Sequence, residues 1–124
     1  MSRKSKGCNA ERELVELLWE KGYSAIRVAG SGVSKFPCPD VLASNGQNVL
    51  AIECKSTKNS FQYVKNEQIE DLKKFAGLFG AKPLCAVRFN NFGWRFIEPH
   101  KMKTSEKFHA TDKEHITKEG ILVL

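Results

Sequence analysis

Pro39-Asp40-Val41-Leu42-Ala43-Ser44-Asn45-Gly46-Gln47-Asn48-Val49-Leu50-Ala51-Ile52-Glu53-Cys54-Lys55 reads as two short strands around a tight turn, with Asn45-Gly46-Gln47 as the hairpin signature. If Gly46-Gln47 is the two-residue loop, Asp40 faces Glu53 directly across the ladder; if Asn45-Gly46 is, Asp40 faces Ala51 and Glu53 lies one diagonal step away. Both registers put the two carboxylates on one face. Side chains alternate along a strand, so Lys55 shares that face, roughly 7 Å beyond Glu53.

Two carboxylates held about 5 Å apart repel each other unless a cation sits between them. Oxygen ligands point to Mg²⁺, with Mn²⁺ as a substitute, because such an ion takes one or two protein carboxylates and completes its shell with water and phosphate oxygens. That chemistry suits attack on a phosphodiester, with the Lys55 ammonium placed to orient the water or neutralise developing charge. The competing reading makes Glu53 and Lys55 a surface ion pair. Burying an acid pair beside apolar neighbours is costly without a purpose, which favours the metal site.

Glu11 falls in the middle of the helical stripe formed by Leu14, Val15 and Leu18, whereas Glu13, Glu16 and Glu20 fall opposite. A site role predicts that inward position. So does a first-turn acid complementing a helix dipole, with Asn9 as N-cap.

Composition agrees with a small polyanion-binding domain. The 124 residues predict one domain spanning 1–124, with 98–124 a polar tail, and 20 Lys plus Arg against 14 Asp plus Glu give a net charge of +6. Cys8, Cys38, Cys54 and Cys85 form no C-x-x-C pair, and His100, His109 and His115 lack i, i+4 pairing, which argues against zinc. No signal-like or membrane-spanning run is visible, so an intracellular, cytoplasmic protein with reduced thiols is the simplest expectation.

The periodicities predict a helix over 9–21 ended by Gly22, a strand over 24–28, the acidic hairpin, a loop over 56–64, a helix over 66–79 stopped by Gly80, and strands over 83–89 and 94–97. The order α-β-β-β-α-β-β predicts an α/β fold with a mixed sheet flanked by helices. A glycine-rich, proline-stiffened loop over 30–39 leads into Asp40 and carries Lys35. A second loop mixes Lys55, Lys58 and Lys65 with Phe61 and Tyr63, which suits backbone contact plus stacking on distorted DNA.

Pro39-Asp40 followed thirteen residues on by Glu53-x-Lys55 resembles the restriction-endonuclease-like nuclease superfamily. With Lys6-Gly7-Cys8-Asn9-Ala10-Glu11-Arg12-Glu13-Leu14, Ile26-Arg27-Val28-Ala29-Gly30-Ser31-Gly32 and Phe92-Gly93-Trp94-Arg95-Phe96-Ile97 in this order, the chain looks like the archaeal Holliday junction resolvases, the Hjc group. The resemblance runs from about Lys6 to about Ile97. It implies a restriction-endonuclease-like fold and a homodimer that resolves four-way DNA junctions by paired, Mg²⁺-dependent nicks leaving 5′-phosphates. Glu11, Asp40 and Glu53 would hold metal, Lys55 would assist the attacking water, and Ser31 would act near the scissile strand. Arg12 and Arg27 would bind phosphate, joined by the loop cations Lys35 and Lys58. A restriction or repair nuclease acting on linear duplex, and a non-catalytic structure-selective DNA-binding module, are the alternatives. Phe75, Leu78, Phe79, Phe92 and Trp94 are either core or subunit interface, and the tail is a candidate contact for a replication or recombination protein.

Overall fold

The computed structural model describes residues 3–30 and 33–113, with side chains from Asn9 onward. Helix α1 (Arg3–Glu20) forms because Ala10, Leu14 and Leu18 repeat at i, i+4, i+8 and are all buried. It closes in a Schellman arrangement: Gly22 adopts φ 88°, its N–H donates to Trp19 O, and Tyr23 N–H reaches back to Leu18 O at 3.0 Å. The helix begins six residues before the position predicted, so Asn9 lies inside it and not at the N-cap. Glu11 is therefore no first-turn acid, which removes the helix-dipole account of its position.

Strands β1 (Ser24–Arg27), β2 (Val41–Ser44), β3 (Val49–Thr57), β5 (Lys82–Phe89) and β6 (Gly93–Ile97) make a mixed sheet in the order β1-β2-β3-β5-β6. All neighbours run antiparallel except β3 and β5, which are parallel. The crossover between those two carries β4 (Phe61–Lys65) and helix α2 (Asn66–Phe79). Alternation along the central strands splits the core in two. Leu50, Ile52, Leu84, Ala86 and Trp94 pack beneath α1; Ala51, Cys85 and Ile97 pack with Ile69, Leu72 and Ala76 of α2.

One expectation fails here, and the polar tail holds elements that the sequence reading left unassigned. The loop predicted over 56–64 is ordered, since β3 runs on to Thr57 and β4 follows after a three-residue turn. The tail also folds as far as it is described, with a 3-10 turn at Pro99–Lys101, β7 (Lys103–Thr104) and β8 (Phe108–Asp112). Both features share one cause, because β4 finds its partner in β8 in a second sheet ordered β4-β8-β7. That sheet is fastened to the first by Arg95, whose guanidinium donates to both the Asp112 carbonyl (2.8 Å) and its carboxylate (2.9 Å). It is fastened to α2 by Asn66, whose amide donates to the Ser105 and Glu106 carbonyls and whose oxygen meets His109 Nδ1 at 2.6 Å.

Candidate active site

The hairpin turn settles the register. Asn45 N–H donates to Asn48 O, Ser44 lies opposite Val49, and Gly46-Gln47 is the loop, with Gly46 at φ 92°. The Asn45 side chain secures the turn by accepting from both Gln47 and Asn48 N–H. Val41 pairs with Ile52, so the ladder brings Asp40 opposite Glu53, the first of the two registers the sequence allows. Asp40 is pinned by its own backbone, its N–H donating to Ile52 O (2.9 Å) and its carbonyl accepting from Val28 N–H (2.8 Å). Its carboxylate accepts the Cys54 N–H at 2.9 Å.

Glu53 is the most perturbed acid among the described carboxylates. Burial, and then the neighbouring Asp40 charge, push its pKa up to about 7, against the pull of the Lys55 ammonium 3.5 Å away. Glu11 also stands above its ordinary value, chiefly through burial and then through Asp40, opposed by Arg27 at 3.1 Å. Asp40 is thus the charge that both glutamates feel, one from the α1 side and one from across the hairpin.

Asp40 and Glu53 open into a pocket of about 350 Å³ walled by residues 34–38 on one side and by Gln68, Asp71 and Leu72 of α2 on the other. Neither Glu11 nor Lys55 lines it. Among the described residues no group of three His, Cys, Asp or Glu side chains stands close enough to hold an ion, so the structure presents an acid pair with a third acid nearby. Asp71 and Gln68 escape the sequence reading; their i, i+3 spacing beside the inward Leu72 puts them on one side of α2, but it does not say that this side borders the acid pair.

The remaining candidates are spread around this centre. Arg12 is exposed on α1, Arg27 is engaged with Glu11, Lys35 sits at the pocket wall, and Lys58 is exposed in the turn after β3. Ser31 lies outside the described residues. Arg88 and Arg95 are both paired, Arg88 with Glu13 at 2.7 Å and Arg95 with Asp112, so neither is the merely solvated strand residue its sequence context allows. Cys54 and Cys85 are thiols held protonated by burial, the latter pushed up to about 12, and serve as packing.

A family model described as archaeal Holliday junction resolvase (Hjc) matches residues 2–123. The chain belongs to that family. This Hjc-family chain is 44% identical over 110 residues to the crossover junction endodeoxyribonuclease Hjc of Archaeoglobus fulgidus, covering 89% of this chain and 81% of that one. It is 42% identical over 98 residues to the crossover junction endodeoxyribonuclease Hje of Saccharolobus solfataricus, with 77% and 73% covered. The crystal structure of Archaeoglobus fulgidus Hjc superposes with a TM-score of 0.82 at 42% identity, over 86% of this chain and 88% of that one. That match bears out the restriction-endonuclease-like α/β fold of the Hjc family, with its mixed sheet between helices. Among the described residues no helix is long and apolar enough to cross a membrane.

Proposed function

We propose that this chain is a homodimeric, Mg²⁺-dependent endodeoxyribonuclease that resolves four-way DNA junctions by paired nicks. The observation that carries the reading is the half-buried Asp40–Glu53 pair, with Glu53 raised to about 7 and Lys55 3.5 Å from it. Excess negative charge on oxygen donors at the wall of an open pocket fits a hard divalent cation that keeps water and phosphate in its shell. Asp40 and Glu53 would hold the ion, with Glu11 as the third acid. When bound, Mg²⁺ would neutralise these acids, lower the pKa of a coordinated water and stabilise charge on the leaving oxygen.

The chain's own groups supply the rest. Lys55 holds the attacking water by hydrogen bonding and meets the negative charge that builds on phosphorus. Cys54 N–H fixes the Asp40 carboxylate, which keeps it from rotating away from the pair. Arg12, Arg27, Lys35 and Lys58 hold the sugar-phosphate backbone, and Ser31 acts on the scissile strand. Glu11 orients Arg27 through their 3.1 Å ion pair. Such contacts make binding fall steeply with salt.

A four-way junction presents two symmetry-related strands, and an isologous dimer supplies two sites in fixed relation. The surface that fits a second copy is apolar: Trp19, Ile26, Leu78 and Phe79 are 58%, 61%, 84% and 54% exposed. A groove of about 270 Å³ joins Trp19 and Ile26 to Phe79 across the edge of β1. Phe75 stacks on Phe79 at 5.0 Å and belongs with this face, whereas Trp94 is buried in the core and Phe92 lies beneath the Lys113 ammonium at 3.8 Å. The single domain extends through the folded tail to Lys113, and a protein contact by residues 114–124 lies outside the described residues.

The deciding experiment is cleavage of a labelled synthetic four-way junction beside a linear duplex of the same sequence, with Mg²⁺ and with chelator, for the native chain and Glu53→Gln. Symmetric nicking of the junction alone, dependent on metal and on Glu53, supports the reading. Equal cutting of the duplex would replace it with a restriction-like activity, and tight binding with no cutting in any metal would leave a binding module.

A further inference from the structure

The chain leaves the sheet after Arg27 and returns at Asp40, and residues 34–38 of that excursion form one wall of the acid pocket. Two apolar side chains there face solvent, Val33 at 89% exposed and Phe36 at 70%. Their backbone is nevertheless tied down. Val33 N–H donates to Gly30 O, Phe36 N–H donates to Ser34 Oγ at 3.2 Å, and Pro37 and the buried Pro39 fix their own φ angles. The Phe36 ring thus faces outward from a locally braced segment, with the Lys35 ammonium 5.8 Å from its centre.

Most other exposed rings have neighbours that account for them. Trp19 and Phe79 share the apolar groove, Tyr63 and Phe108 meet edge to face at 6.0 Å, and Phe92 is covered by Lys113. Phe36 instead stands at the wall shared with Asp40 and Glu53, next to a cation. A continuous duplex offers such a ring nothing, because every base face is stacked and the flank is phosphate. At the exchange point of a four-way junction, base pairs can lose a stacking neighbour, and a flat aromatic ring placed there replaces the lost stack.

We infer that Phe36, steadied by Lys35 on an adjacent phosphate, stacks on the base pair laid open at the exchange point and so selects branched over continuous DNA. The residue determines specificity by fixing which phosphodiester reaches Asp40 and Glu53. This rests on the nuclease reading above and deepens it.

The test uses junctions carrying 2-aminopurine beside the exchange point, bound by the Glu53→Gln chain with Phe36 intact or changed to Ala, Leu or Trp. With Phe36 or Trp, binding alters the fluorescence. With Ala or Leu it does not, junction affinity falls about 10-fold, within the range that loss of one aromatic stack produces, and linear-duplex affinity is unchanged. In the Glu53-intact chain, Phe36→Ala cuts junctions more slowly at an unchanged melting temperature and unchanged oligomeric state. Leucine performing as well as phenylalanine, or equal losses on junction and duplex, would overturn the inference and leave the nuclease reading standing. Failure of the Glu53-intact chain to bind or cut any junction would overturn the nuclease reading itself.

Discussion

Glu53→Gln should make this protein more stable, and the gain should depend on pH. Burial and the Asp40 charge raise the Glu53 pKa from 4.5 to about 7, and each pKa step is about 1.4 kcal/mol, so ionised Glu53 costs the folded chain about 3 kcal/mol. The folded state binds more protons than the unfolded state between those two values, so stability falls as pH rises through that window and the cost is complete above pH 7. Glutamine resembles the protonated acid and escapes the cost. Thermal melts without divalent metal should show the variant matching the native chain near pH 4 and exceeding it by about 10 °C at pH 8, from about 2.1 cal/mol/K of unfolding entropy per residue. The same melts read the metal. Saturating Mg²⁺ should raise the native midpoint at pH 8 and leave Glu53→Gln nearly unmoved. A variant that melts below the native chain at pH 8, or a gain equal at both pH values, would refute the electrostatic account of this site.

Asp40→Asn and Glu53→Gln should retain junction binding by gel shift while abolishing cleavage, since both remove charge and keep shape; parallel loss of binding would mark the residues as structural. Asp112→Ala strips the ion-pair partner from Arg95, whose side chain is only 15% exposed, and should cost about 2 kcal/mol in urea unfolding. Truncation after Glu98 removes the strand that pairs with β4 and should yield a chain that fails to unfold cooperatively by circular dichroism. Phe79→Asp, on the exposed apolar face, should shift sedimentation to the monomer and convert paired nicking into single, uncoupled nicks.

What was legible in the sequence follows the reach of each interaction. Asp40, Glu53 and Lys55 lie on one hairpin, so strand alternation and a Gly-containing turn bring them together without reference to anything distant. Glu11 showed its inward face through helical periodicity, but its ion pair with Arg27 depends on how α1 crosses β1, and no local pattern encodes that. Strand β4 was hidden for a related reason. Phe61-Gln62-Tyr63-Val64 alternates adequately, yet lysine, serine and asparagine around it read as loop until the partner at Phe108–Asp112 is known. Asp71 and Gln68 needed the packing of α2 against the sheet before their side of the helix meant anything. Counting the tail as polar also concealed Asp112, whose carboxylate is committed to Arg95.

The Gly46-Gln47 turn acts as a caliper for the chemistry. Asp40 and Glu53 sit six residues from either side of it, so their pairing across the ladder is set by parity. A one-residue slip of β2 against β3 would aim one acid at the opposite face of the sheet and turn the buried apolar side chains of that strand outward with it. A slip of two would return both acids to one face but leave them a diagonal step apart. The turn is exposed and remote from the reaction, yet the register it closes fixes the gap between the two acids.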